Sequence, residues 1–133
     1  MPEKVVASDQ WGQVIYYDEW DSLELRWLPS TANADDAALR TTMEVFANEA
    51  VNRRPKTLIV DTTQFNHTWG DGLMQWRDAH IIPRYGAAGV RKFAFVMPPG
   101  FPDSGREAVE GPAVFPTKWF LDRQQALAWL AAG

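Results

Sequence analysis

Leu58-Ile59-Val60 constrains this chain more than any other stretch. It is preceded by Lys56-Thr57 and runs into Asp61-Thr62-Thr63, with no polar residue interrupting the apolar run. A strand with one face in water alternates apolar and polar side chains, whereas an unalternating apolar strand is covered on both faces. Phe93 to Met97 has the same character. A chain with two such strands must supply covering layers on both sides of a sheet, which points to an α/β arrangement.

The flanking segments provide those layers. Val14, Ile15, Tyr16 and Tyr17, within Trp11 to Tyr17, are β-branched and aromatic residues suited to a pleated surface. Leu23, Leu25 and Trp27 alternate with Glu24 and Arg26, predicting a half-exposed second arm of a hairpin with its two charges turned to water. Pro29 stops it, and Asn33 or Asp35 can cap a helix that continues to about Arg53. Leu39, Met43, Phe46 and Ala50 give that helix one buried stripe.

After the Gly70-Asp71-Gly72 turn a second helix is predicted from Asp71 to about Ile81, limited by Pro83. Residues 98 to 117 are rich in Pro and Gly, with Ser104 to Val109 as a short helix. Lys118 to Leu121 reads as a final strand. Asp122 with Gln125 three residues later is a capping box for a last helix docked by Ala126, Leu127, Trp129 and Leu130. With right-handed crossovers, the expected fold is α/β, a mixed β-sheet of about five strands with about four helices, in one domain covering 1–133.

Composition removes several functional classes. The absence of cysteine excludes disulfides, thiolate metal sites and a cysteine nucleophile. A net charge of −4, spread without single-sign runs, gives no electrostatic footprint for nucleic acid or an anionic membrane. No apolar run approaches the ~18 residues that span a bilayer, and no signal-peptide core follows Met1-Pro2-Glu3-Lys4, so a cytoplasmic protein is expected.

Chemical motifs are missing too. There is no Gly-x-Ser-x-Gly elbow, Walker loop or Gly-x-Gly-x-x-Gly fingerprint. Asp61, His67, Asp71 and His80 are ligand-type residues, but their spacing fits no metal motif, so neither metal nor cofactor is expected. Gly70-Asp71-Gly72 precedes a helix N-terminus, yet the Asp71 carboxylate would repel an anion there and reads as the cap.

Three stretches together resemble a known family: Lys56-Thr57-Leu58-Ile59-Val60-Asp61, Gly89-Val90-Arg91-Lys92-Phe93-Ala94-Phe95-Val96, and the segment from Phe120-Leu121-Asp122 to Trp129-Leu130. Their order and spacing, from about Trp11 to Leu130, are similar to those of STAS domains, especially the soluble single-domain STAS-like relatives of bacteria. The resemblance implies a non-enzymatic regulatory domain that binds a protein partner. In anti-sigma-factor antagonists the turn before the second helix carries a phosphorylatable Ser. The corresponding Trp69-Gly70-Asp71-Gly72 has no hydroxyl at that place.

The candidate partner-binding face is therefore Asp71, Leu73, Trp76, Arg77 and His80, with Trp69 at its edge, engaging a protein partner or a second copy of the chain. An alternative is a carrier or sensor of a small apolar ligand, with Phe65, His67, Trp69 and Trp76 around a pocket beneath residues 98 to 117 and Phe101 and Phe115 as lid contacts. A third reading uses Asp61, His67 or His80 as acid or base, but no nucleophile, base and orienter form a set.

Overall fold

The computed structural model describes residues 4–66, 71–97 and 115–132. Six strands, β1 (Lys4–Ser8), β2 (Gly12–Tyr17), β3 (Ser22–Trp27), β4 (Thr57–Asp61), β5 (Lys92–Val96) and β6 (Thr117–Phe120), form one sheet whose spatial order is the chain order. β1, β2 and β3 pair antiparallel, and β3 to β6 pair parallel. The fold is α/β with a mixed sheet, as predicted. The additional strand is β1, a short edge segment with a bulge between Val5 and Ala7 and little sequence alternation to reveal it.

Four α-helices accompany the sheet among the described residues, α1 (Asp36–Arg53), α2 (Asp71–His80), α3 (Ile82–Ala87) and α4 (Arg123–Ala131), with a 3-10 turn at Pro29–Asn33. Neighbouring parallel strands joined by right-handed crossovers in one direction send their connecting helices to the same face. Leu39, Met43 and Phe46 of α1, Leu73 of α2, and Ile82 and Tyr85 of α3 accordingly share one core with Leu23, Leu25, Trp27, Leu58, Val60 and Phe93. On the other face Ala126 and Leu130 of α4 pack on Ile59, Ala94, Val96 and Phe120. The central strand β4 is buried along its whole length, as its apolar run requires.

Helix boundaries follow local chemistry. Asp35 caps α1, its Oδ1 accepting from Ala38 N at 2.8 Å, and Asp122 caps α4 by accepting from Gln124 N at 2.8 Å. The chain leaves α1 through Arg54, a non-glycine residue in the left-handed region at φ 49°. Pro83 does not sit in a single long second helix. The helix breaks at Ile81, and Pro83 takes a place in the first turn of α3, where its missing N–H costs nothing.

One expectation is overturned at β3. Its polar side was predicted to face water, yet Ser22 and Glu24 are both 0% exposed. β3 is an interior strand, hydrogen-bonded on both edges, and Arg123 of α4 reaches across its second face to Glu24. The short helix expected at Ser104 to Val109 lies outside the described residues.

Candidate functional site

Open α/β sheets bind and react at the carboxyl ends of their parallel strands. Here that end holds a mixed-charge network on the α4 side of the sheet. Glu24 of β3 is its centre: Tyr17 OH donates to Oε1 at 2.5 Å, Arg26 Nε donates to Oε2 at 3.0 Å, and Arg123 Nη1 donates to Oε2 at 3.0 Å. Arg123 Nη2 also reaches Glu24 Oε1, and donates to Tyr17 OH at 2.9 Å. Asp61, at the end of β4, joins through Oδ2, 3.3 Å from Arg123 Nη1.

The second oxygen of Asp61 is also committed. It accepts from Thr63 N at 2.9 Å and Thr63 Oγ1 at 2.6 Å, the loop-closing role expected of a carboxylate just past a buried strand. Thr62 fastens the same turn to the neighbouring strand, its Oγ1 donating to Val96 O at 2.8 Å. Two carboxylates thus face two guanidiniums, and burial of Glu24 is offset by charge-assisted hydrogen bonds. Burial alone would weaken the Arg123 charge. The hydrogen bond and charge of Glu24 outweigh it and hold the guanidinium above its ordinary pKa. Such an arrangement pins α4 to three strands.

Sequence reasoning did not find this network, although one signal was present. Arg123 stands in the first turn of a helix, the end that disfavours a cation. A cation there needs an acid from another element, and Glu24 and Asp61 are that acid pair.

The predicted partner face separates on folding. Leu73 is 0% exposed and belongs to the core, which corrects its assignment to the surface: the apolar side of α2 needs it against the sheet. Trp76 is half-buried at the margin of that core, with the Arg40 guanidinium 5.4 Å from its ring centroid and the His80 ring 5.9 Å away. Gln75, Ala79 and His80 are exposed. Arg77 is partly buried and pairs with Asp78, Nη2 to Oδ1 at 3.2 Å. Asp71 opens α2, and its side chain lies outside the described residues.

The predicted aromatic pocket loses Phe115 to packing, while Phe65 stays half-buried. Phe65 rests edge-on against Trp27 at 5.1 Å. Phe115 is 2% exposed and packs on Phe93 at 6.1 Å, so it fills core instead of facing a ligand as a lid. His67, Trp69 and Phe101 lie outside the described residues. Asp61 points to the α4 face, whereas His80 rides on a helix of the opposite face, so the two do not share an acid–base site. Among the described residues no three His, Asp or Glu side chains converge as a metal-ligand set.

No protein-family model, curated protein or solved structure matches the chain.

Proposed function

We propose that this chain is a non-catalytic binding domain of the STAS-like kind, working in the cytoplasm, that engages a protein partner through the outward side of α2 and the adjoining edge of α1. The observation that carries the reading is Trp76. A large ring held half-out of the core, flanked by Arg40 and His80, has the composition of an interface anchor, since Trp and Arg dominate binding hot spots. Gln75 and Ala79 extend the exposed ground beside it. The commitment of Glu24 and Asp61 to guanidinium and threonine donors favours a role in binding over one in proton transfer.

The face is tested with a photo-reactive amino acid placed at Gln75 in living cells, together with sedimentation of the purified protein. One discrete cross-linked product, lost in His80→Glu and Trp76→Ala, supports the reading, and sedimentation says whether the partner is another copy of the chain. Diffuse cross-linking that both variants leave unchanged would sink it. Because Trp76 also touches the core, the exposed His80→Glu variant separates lost binding from lost stability.

A further inference from the structure

On the α4 side of the sheet, at the end opposite the charge network, lies a cavity of about 270 Å³. Its walls are Glu19 and Trp20 from the β2–β3 turn, Lys56 and Thr57 at the start of β4, Arg91 and Lys92 at the start of β5, and Leu130 and Ala131 at the end of α4. Two buried hydroxyls on this side of the sheet have no hydrogen-bond partner among the described residues, and one of them belongs to the cavity wall. Thr57 Oγ1 belongs to a wall residue that is 5% exposed, and Ser22 Oγ belongs to the residue paired with it on β3, 0% exposed. Buried polar atoms are almost always satisfied, and an orphan hydroxyl beside a cavity implies a missing acceptor or donor.

The charge around the cavity says which. Lys92 is spent, its Nζ donating to Trp129 O at 2.7 Å and answering the negative end of α4. Lys56 and Arg91 are exposed and have no side-chain partner among the described residues; Arg91 N donates to Lys56 O at 2.7 Å, which holds the two side by side. Glu19 on the rim opposes them with a single negative charge. Two uncommitted cations against one acid, over a hydroxyl able to donate, form a receptor for an oxyanion.

We propose that this cavity binds a small organic anion: the carboxylate or phosphate is held by Arg91, Lys56 and the Thr57 hydroxyl, and the ligand body lies against Trp20 and Leu130. A cavity of roughly 150 Å³ accepts benzene, so this one holds a single ring with its charged group. The site is independent of the α2 surface, which belongs to the other face of the sheet.

The probe is phenyl phosphate, with phenol as its uncharged counterpart, titrated into 15N-labelled protein. Amide shifts at Glu19–Trp20, Lys56–Thr57, Arg91–Lys92 and Leu130–Ala131 that saturate in the millimolar range with phenyl phosphate and not with phenol are the expected result. Arg91→Ala and Thr57→Val each weaken binding about tenfold, in line with a lost hydrogen bond to a charged group. Thr57→Ser retains binding, and Glu19→Gln tightens it. Thr57→Val removes an orphan hydroxyl, so its melting temperature does not fall. Equal shifts with phenol, or an affinity that Arg91→Ala and Thr57→Val leave unchanged, would overturn the assignment.

Discussion

Arg123 and Glu24 stand 99 positions apart in the chain, and Nη1 of one lies 3.0 Å from Oε2 of the other. Glu24 has no access to water, so the guanidinium supplies much of what solvent would otherwise give it. Arg123→Met is expected to destabilise the fold by about 3 kcal/mol, the low end for breaking a buried pair, because Arg26 still donates to Glu24. Replacing Glu24 by Gln in the same chain should recover at least half of that loss. Urea unfolding of the single and double variants gives both values, and additive losses would contradict the coupling.

Arg54 leaves α1 in a conformation that glycine adopts without strain, at φ 49°. Its side chain is exposed, and its useful contact is through the backbone, N donating to Ala50 O at 2.9 Å. Arg54→Gly therefore keeps the cap and removes the Cβ penalty. A gain of about 0.5–1 kcal/mol is expected, read as a higher denaturation midpoint.

Two glycines should fail for different reasons. Gly89 sits at φ +88°, and a Cβ there would meet nothing within 4 Å among the described residues, so Gly89→Ala costs about 1–2 kcal/mol through backbone strain. Gly12 has no φ problem. A methyl group there would lie 3.1 Å from Thr42 Cγ2 and 3.3 Å from Arg26 O, pressing β2 away from α1. Gly12→Ala is expected to cost about 1–3 kcal/mol as overpacking, and Thr42→Ser, which deletes the clashing methyl, should relieve part of it. Thermal melts of the single and double variants distinguish the two mechanisms.

Alkaline pH should loosen the fold through its tyrosines. Burial raises the Tyr85 hydroxyl well above the ordinary tyrosine value. Tyr16 is pushed up to about 12, by burial first and then by its hydrogen bond to Asp21 and the charge of that carboxylate. A group whose pKa is higher when folded stabilises fully below its unfolded value and loses that contribution as pH rises through the folded one. The window thus opens near pH 10 and extends upward. Urea midpoints measured from about pH 9 to about pH 11 should fall, and fall less steeply in Tyr85→Phe.

What the sequence disclosed was whatever depends on near neighbours. The unalternating run at Leu58 to Val60, the stripe Leu39, Met43, Phe46 and Ala50, and the caps Asp35 and Asp122 each express a local period or a local hydrogen bond, and each is found in place. Leu73 and Phe115 were misplaced because whether an apolar residue makes surface or core depends on what packs over it. Glu24 is the instructive case. Its alternation with Leu23 and Leu25 is that of a solvated strand, and only the arrival of Arg123 turns the same pattern into a buried one. The cavity beside Thr57 was equally hidden, since its walls come from four separate elements.

The geometry around Arg123 also bears on how the chain avoids misassembly. Its acceptors, Tyr17, Glu24 and Asp61, come from β2, β3 and β4, and a slip of one residue between any two of these strands would turn an acceptor to the wrong side of the sheet. Helix α4 can therefore close fully only over strands already in step. The contact is thus a geometric check on register: a misregistered sheet would present Arg123 with a missing acceptor in place of a complete set.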